Sequence, residues 1–226
     1  MLPLRDNAPT RHFPIVTVAL IAANVAVWVL YQLPNLERSV NELAYHPCEV
    51  ERSCPVVGED WPLTVLTSMF MHGSWMHLLG NMLFLWIFGN NIEDALGRVR
   101  FLVFYLLGGV AATVLQTFVT LMWASDAEAA IPNVGASGAV SAVLGAYLLL
   151  LPSARVLVVI FFILREIPAV FFLGFWFLFQ LWSGGAELTN PDEGGGVAFF
   201  AHVGGFAFGF LTVKMFQIRR PLRPSY

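Results

Sequence analysis

Charge is scarce in this sequence. Only 12% of its 226 residues are Asp, Glu, Lys or Arg, whereas soluble proteins average about 25%. Hydrophobic residues make up 58% of the chain and the mean hydropathy is +0.71, which excludes an ordinary soluble domain. Twelve basic and fifteen acidic residues give a net charge of −3, so the chain has no basic field for nucleic acid phosphates. Composition therefore predicts a membrane protein that binds no nucleic acid.

Cysteine is equally rare, since Cys48 and Cys54 are the only two thiols. Two thiols cannot form a disulfide scaffold or a four-thiolate zinc or iron–sulfur site. A disulfide between these residues and a pair of free thiols both fit the sequence. The sequence also lacks phosphate-binding loops, dinucleotide motifs and paired catalytic carboxylates, which excludes kinases, dehydrogenases and glycosidases. We expect no cofactor and no metal.

Six long apolar runs are present instead. A helix needs about 20 apolar residues to cross a bilayer, because lipid offers no partner for unpaired backbone groups. The runs are Pro14–Leu33, Leu63–Gly89, Phe101–Trp123, the shorter Gly135–Leu151, Pro168–Trp182 and Val197–Met215. We therefore predict an all-α polytopic membrane protein whose six transmembrane helices form one domain over residues 14–216. A segment at 1–13 precedes this domain, a long outer loop occupies 34–62, and a basic tail covers 217–226.

One apolar stretch is too short to cross. Val156–Leu164 has nine residues between Arg155 and Arg165. We expect it to lie at the membrane interface or to form an interrupted start of the fifth span.

The distribution of charge predicts the orientation. Ten of the twelve basic residues lie in segments on one side of the predicted spans, and eleven of the fifteen acids lie on the other. Lys and Arg are retained on the cytoplasmic side of a membrane. Both termini should therefore be cytoplasmic, in a multi-pass protein of the cell (inner) membrane surrounded by the lipid bilayer.

Several polar side chains lie inside the apolar runs, where lipid makes them expensive and usually functional. They fall in the second, fourth and sixth runs: His72, His77, Asn81, Ser137, Ser141 and His202. These helices all run from the outer face inwards, so their polar groups can meet at one depth. Gly205 and Gly209 follow His202 at a spacing that allows close packing against the small residues of the fourth run. That packing would bring Ser137 to His202.

Ser137 and His202 suit nucleophilic catalysis. A serine hydroxyl becomes a competent nucleophile when a neighbouring base accepts its proton, and His202 can be that base. Gly135 and Gly138 leave Ser137 unobstructed. A serine in the first turn of a helix also lies beside backbone N–H groups that can stabilise an oxyanion.

His77 and Asn81 are four residues apart and share one face of the second helix. Their side chains can add donors to the same oxyanion hole, and one such donor is worth about 10²–10³ in rate in soluble enzymes. No acidic residue lies in the three polar helices to orient His202. The expected arrangement is a Ser–His dyad and not a triad.

With these motifs in this order, the sequence resembles the rhomboid family of intramembrane serine proteases over nearly its whole length. The motifs are G-x-S-G at Gly135–Gly138, H-x-x-x-N from His77 to Asn81, and A-H-x-x-G-x-x-x-G at Ala201–Gly209. The resemblance implies a six-helix rhomboid-like bundle of the bacterial type. It also implies that the chain hydrolyses peptide bonds of transmembrane protein substrates.

The resemblance further implies a role for each motif residue. Ser137 would be the nucleophile and His202 the base, and the oxyanion hole would consist of His77, Asn81 and the Ser137 backbone amide. The motif glycines would be structural, as would Glu93 in the inner loop. The fifth span and the last outer loop would act as a lateral gate.

The sequence departs from the family pattern at two positions. Trp61 is followed by Pro62, where the family often has a Trp-Arg pair in the first outer loop. Ser141 stands four residues after Ser137, where the family often has an aromatic residue that packs under the histidine. Neither departure removes a reacting group.

Two alternative functions are considered. A non-proteolytic rhomboid-like protein would bind membrane helices, and loss of the serine or the histidine would be its mark, but both residues are present. A small transporter could use intramembrane His and Asn for protons or solute, but the sequence has no obvious inverted repeat. His72 is expected to be structural or to face water.

Overall fold

The computed structural model describes residues 1–51, 61–189 and 198–222, and these residues are mostly helical. The α-helices are α1 (Ile15–Ala26), α2 (Leu36–Leu43), α3 (Trp61–Thr67), α4 (Trp75–Leu96), α5 (Arg98–Trp123), α6 (Asp126–Ala129), α7 (Ser137–Leu150), α8 (Ala169–Thr189) and α9 (Phe199–Phe216). A π-helical segment, Val27–Gln32, continues α1, and 3₁₀ turns cover Leu33–Asn35, Pro47–Glu51 and Ser68–Phe70. Cys54, for which the sequence leaves a disulfide with Cys48 open, lies outside the described residues.

Four helices in the described part of the chain are long and apolar enough to cross a membrane. They are Ile15–Leu43, Arg98–Trp123, Ala169–Leu188 and Phe199–Phe216. Two further predicted spans correspond to α4 and α7. The first of these is 22 residues long but carries polar side chains along its length, and the second has only 14 residues. The protein is thus a helical membrane protein with several apolar helices, while the count of six crossings stays a prediction.

The second predicted span starts later than expected. We predicted one run from Leu63 to Gly89, but the chain is extended at Met71, and α4 begins only at Trp75. Ser74 is the N-cap, because its hydroxyl accepts the His77 backbone N–H at 3.1 Å. A polar cap of this kind defines a helix start more strongly than hydropathy does.

The same helix also ends later than expected, so Glu93 lies in the last turn of α4 and not in an inner loop as predicted. One carboxylate oxygen of Glu93 accepts the Val16 N–H at 3.0 Å. The other accepts the N–H and the hydroxyl of Thr17, both at 2.8 Å. The carboxylate therefore satisfies backbone donors at the start of α1 and lies at the positive end of the helix dipole.

The all-α prediction is wrong in one region, where the chain forms a three-stranded antiparallel sheet in the order β1 (Leu2–Asp6), β2 (Arg155–Ile160), β3 (Ile163–Pro168). The stretch Val156–Leu164, predicted to be interfacial or the start of a helix, supplies most of the hairpin. Val156 and Val158 are fully buried and Leu157 between them is only partly buried. Alternating burial in a segment rich in β-branched residues is typical of a strand.

The hairpin turn consists of Phe161 and Phe162, both with positive φ (45° and 67°). Positive φ at both central residues matches the turn that best fits the twist of two paired strands. Both rings are almost fully exposed.

A partly buried hydrogen bond joins the sheet to the helices. The Tyr147 hydroxyl of α7 donates to a carboxylate oxygen of Asp6 at the end of β1. Burial raises the pKa of Asp6 to about 6, although this hydrogen bond acts in the opposite direction. This hydrogen bond therefore attaches β1 to the C-terminal end of α7, which lies away from Ser137.

Helices α7 and α9 pack backbone to backbone, as predicted from their small residues. A Cβ atom added to Gly205 would overlap the carbonyl oxygen of Gly138, and one added to Gly209 would overlap that of Ala142. The contact is reciprocal, because a Cβ at Gly145 would overlap the carbonyl of Phe206. Without glycine at these positions the two helices could not approach this closely.

We predict that Gly209→Ala destabilises the protein, because its added methyl meets rigid backbone. Overpacking of this kind lowers the free energy of unfolding by about 1–3 kcal/mol, and Tm falls about 2–4 °C per kcal/mol for a chain of this size. Thermal unfolding of the purified full chain in detergent measures the effect. Gly174→Ala on α8 is the matched control, since nothing lies within 4 Å of its added Cβ. Equal Tm values for the two variants would contradict the packing argument.

Candidate active site

A cavity of about 230 Å³ lies between α4, α7, α8 and α9. The polar and aromatic side chains that line it include His77, Asn81, Ser137, Trp176, Gln180 and His202. Four of these residues were selected from the sequence, and the fold brings them into one place. Glu93 is not among the lining residues.

Ser137 is the first residue of α7 and is half-buried. The residue two positions earlier, Gly135, has φ +126°, a value that L side chains rarely adopt. The Gly135 N–H donates to the Ser68 carbonyl at 2.9 Å, which fixes the loop before α7. Because Ser137 begins the helix, its backbone N–H has no acceptor within α7 and can serve a ligand.

His202 lies in the first turn of α9, and its ring is held from α8. Its Nδ1 is 2.8 Å from the side-chain oxygen of Gln180, and its ring centroid is 5.9 Å from that of Trp176. An amide oxygen can only accept, so Nδ1 carries the proton and Nε2 of the neutral ring is an acceptor. This is the tautomer that a general base requires.

In the described part of the chain, no hydrogen bond joins Ser137 directly to His202. The two side chains line the same cavity. Contacts between a nucleophile and its base often tighten only when substrate binds.

His77 and Asn81 approach the nucleophile from α4. Nδ1 of His77 accepts the Gly73 N–H at 3.5 Å, which leaves the proton of the neutral ring on Nε2. A Cβ added to Gly135 would lie 2.7 Å from that Nε2 and 3.6 Å from Nδ2 of Asn81. Two side-chain donors therefore face the backbone next to Ser137, where they can stabilise negative charge on an oxygen.

His72 was predicted either to be structural or to face water. It is fully buried, so it does not face water. Its Nε2 is 3.0 Å from Nδ2 of Asn81, and its ring packs edge-on against His77 with centroids 5.1 Å apart. His72 therefore contacts both donors that face Gly135.

Three glutamines that were not predicted from the sequence also hold this site. Gln32, at the end of the π-helical segment, accepts the His72 N–H at 2.8 Å and donates to the His72 carbonyl at 3.0 Å. Gln116 of α5 accepts the Ala201 N–H at 3.0 Å, and Gln180 binds the ring of the next residue. Each of these glutamines is a polar side chain inside an apolar run, which is the signal that could have identified it. From the sequence, such side chains were considered only in the second, fourth and sixth runs, whereas the glutamines lie in the first, third and fifth.

Across residues 1–51, 61–189 and 198–222, no group of three or more His, Cys, Asp or Glu side chains is arranged to hold a metal ion. The groups that converge on the cavity are a hydroxyl, imidazoles and amides. Such groups can transfer protons and stabilise an oxyanion, which is the chemistry of acyl transfer.

Comparison with known proteins gives the family. The family model of the Rhomboid domain matches residues 59–218. The presenilin-associated rhomboid-like protein, mitochondrial, of Bos taurus is 31% identical over 199 residues, which are 84% of this chain and 45% of that protein. Rhomboid protein 1, mitochondrial, of Saccharomyces cerevisiae is 30% identical over 195 residues, which are 85% of this chain and 51% of that protein.

A bacterial relative is similar at the same level. The rhomboid protease GluP of Bacillus subtilis is 29% identical over 205 residues, which are 88% of this chain and 34% of that protein. The chain thus spans about half or less of the length of these curated relatives. The match to the domain model covers most of the chain and includes all the motifs found in the sequence, so the chain belongs to the rhomboid family.

Proposed function

We propose that this protein is an intramembrane serine protease that hydrolyses peptide bonds of transmembrane protein substrates. The observation that carries the proposal is the arrangement around one cavity: Ser137 begins α7, His77 and Asn81 direct donors to the adjacent backbone, and His202 has an unprotonated Nε2. The printed name of the Bacillus subtilis relative adds support, because that protein is called a protease.

The proposed reaction follows from these groups. The Ser137 Oγ attacks the carbonyl carbon of the scissile bond, and its proton moves to Nε2 of His202. The resulting oxyanion accepts hydrogen bonds from the Ser137 N–H, from Nε2 of His77 and from Nδ2 of Asn81. His202 then gives its proton to the leaving amine. Water attacks the acyl-enzyme with His202 again as base, which releases the acid product and restores Ser137.

Labelling with a fluorophosphonate tests the nucleophile. We expect the purified full chain in detergent to form a covalent adduct and to cleave a single-span model substrate, and we expect Ser137→Ala to abolish both. His202→Ala should lose nearly as much, because groups that act as one unit fail together. Ser153→Ala, an exposed serine far from the cavity, should keep both properties.

Thermal unfolding and gel filtration must show that these variants remain folded. Cleavage that persists in folded Ser137→Ala would overturn the protease proposal. If the wild-type chain binds membrane helices but neither cleaves them nor reacts with the probe, a non-proteolytic binding protein would be indicated.

We predict that Gly135→Ala inactivates the enzyme through the oxyanion hole. The added methyl would displace the His77 ring, and a Cβ is disfavoured at φ +126°. Loss of one donor should lower kcat by about 10²–10³-fold, measured with the model substrate. Gly185→Ala has nothing within 4 Å of its added Cβ and is the control. Activity near the wild-type value in Gly135→Ala would show that His77 is not a donor in the reaction.

The domain organisation, membrane and orientation are part of the proposal. We infer six crossings within residues 14–216, flanked by segments 1–13 and 217–226, with both termini on the cytoplasmic side of the cell membrane. One observation supports this orientation. The cavity lies at the starts of α4, α7 and α9, whereas most basic residues flank their opposite ends. The word mitochondrial in the names of two relatives describes those proteins and is not carried over to this chain.

Cysteine accessibility tests the orientation. In a variant with Cys48 and Cys54 replaced by serine, we expect Ser125→Cys, before α6, to react with a membrane-impermeant maleimide in intact spheroplasts. Ser153→Cys, after α7, should react only once the membrane is permeabilised. Both positions are exposed in the protein. The reverse pattern would contradict the orientation and place the cavity at the cytoplasmic face.

A further inference from the structure

We infer that Gln180 is the positioning residue for His202, and that it takes the place that a carboxylate has in a serine protease triad. The inference rests on the proposed function, because it assigns Gln180 a part in the same reaction. It departs from the dyad expected from the sequence, in which nothing orients the histidine.

The first observation is the burial of a polar side chain in an apolar helix. Gln180 is only 5% exposed and lies in α8, a helix rich in Phe and Trp. A primary amide in such surroundings is costly unless it is hydrogen-bonded. The hydrogen bond to Nδ1 of His202 is its contact in the described structure, so the amide is held against the ring.

The second observation is the tautomer that this bond selects. Free neutral imidazole has its proton on either nitrogen, and only the form protonated at Nδ1 offers Nε2 as a base. The Gln180 oxygen, 2.8 Å from Nδ1, stabilises that form. It also accepts a stronger bond once His202 becomes charged in the reaction, because hydrogen bonds to ionised donors are stronger than neutral ones.

The third observation is the aromatic ring one helical turn earlier. Trp176 lies four residues before Gln180, on the same face of α8, with its ring 5.9 Å from His202 and 6.0 Å from Phe206. Ser141 of α7 offers the imidazole no ring to pack on, and its hydroxyl donates to the Ser137 carbonyl at 2.6 Å. Helix α8 thus supplies both the packing surface and the hydrogen bond acceptor for the base.

These contacts make α8 the element that determines the orientation of His202. Helix α9 provides its backbone position, but its ring angle depends on side chains of α8. A shift of α8 away from α9 would break the bond to Nδ1 and leave the tautomer free to change.

Nitrogen NMR of the purified full chain in detergent, with ¹⁵N-labelled histidine, measures the tautomer directly. The signal of His202 is assigned with His202→Ala. We expect Nδ1 of His202 to carry the proton in the wild type, and we expect Gln180→Leu to give a mixture of both tautomers. Gln217→Leu is the matched control, because Gln217 follows α9 and its amide donates to the Arg219 carbonyl and not to the imidazole; it should leave the His202 signal unchanged.

Kinetics with the model substrate gives the second measurement. Gln180→Leu should lower kcat by about 10–100-fold, by analogy with the loss seen when the hydrogen-bond partner of a metal-bound histidine is removed, with little change in KM. Gln180→Glu keeps an acceptor at the same position and should recover most of the lost kcat, while the incompletely paired carboxylate lowers Tm below that of the wild type. If Gln180 had only a structural role, Gln180→Leu would leave the His202 tautomer unchanged, and an acceptor at this position would not be needed to recover kcat.

The outcomes separate this inference from the proposed function. An unchanged His202 tautomer in folded Gln180→Leu would overturn the role of Gln180, even if Ser137→Ala proves that the chain is a serine protease. A changed tautomer without loss of kcat would also overturn it. A chain in which Ser137→Ala still cleaves would overturn the protease proposal itself, whatever the NMR shows.

Discussion

The close contact between the backbones of α7 and α9 is the constraint on which the cavity depends. In lipid no hydrophobic force drives apolar helices together, so they associate through close packing and hydrogen bonds. Gly205 and Gly209 lie against carbonyl oxygens of α7, and Gly145 lies against one of α9. Larger residues would move the helices apart and would separate Ser137, at the start of α7, from His202, in the first turn of α9. The chemistry proposed for the cavity therefore starts from a steric fact.

Packing alone does not orient polar groups, and amide side chains do so here. Gln32 fixes the backbone of His72 through two hydrogen bonds, and His72 in turn contacts Asn81. Gln116 holds the backbone N–H of Ala201, while Gln180 holds the ring of His202. The three glutamines come from the first, third and fifth apolar runs. The runs that carry the candidate catalytic groups are thus oriented by the runs between them.

Much of this arrangement could be predicted from the sequence, because lipid penalises polar residues so strongly. His77, Asn81, Ser137 and His202 stood out for that reason, and they line one cavity. The rhomboid resemblance is confirmed by the match to the family model. The positions of polar residues in the sequence, however, do not show which side chain will contact the imidazole of His202. The partner of His202 depends on the rotation of α8, and hydropathy gives no measure of that rotation.

The errors at element boundaries have a local physical cause. Hydropathy alone predicted one helix over Leu63–Gly89. The extended backbone at Met71 interrupts this stretch, and the Ser74 cap starts a new helix after it. The hairpin of β2 and β3 was missed because a search for spans measures length and polarity only. Alternating burial of Val156 and Val158 is a feature with period two, which such a search does not detect. These local features override the average apolarity of a stretch.

The use of neutral amides around the cavity, and of carboxylates away from it, follows from the cost of burying charge. Glu93 is buried, but its carboxylate accepts three hydrogen bonds at the start of α1, where the helix dipole also favours negative charge. A carboxylate beside His202 would have the imidazole as its partner, and an incompletely paired charge is expensive in an apolar helix. An amide oxygen accepts the same hydrogen bond from the Nδ1–H and carries no net charge. A glutamine can therefore orient a histidine inside a membrane domain where an aspartate would need further donors.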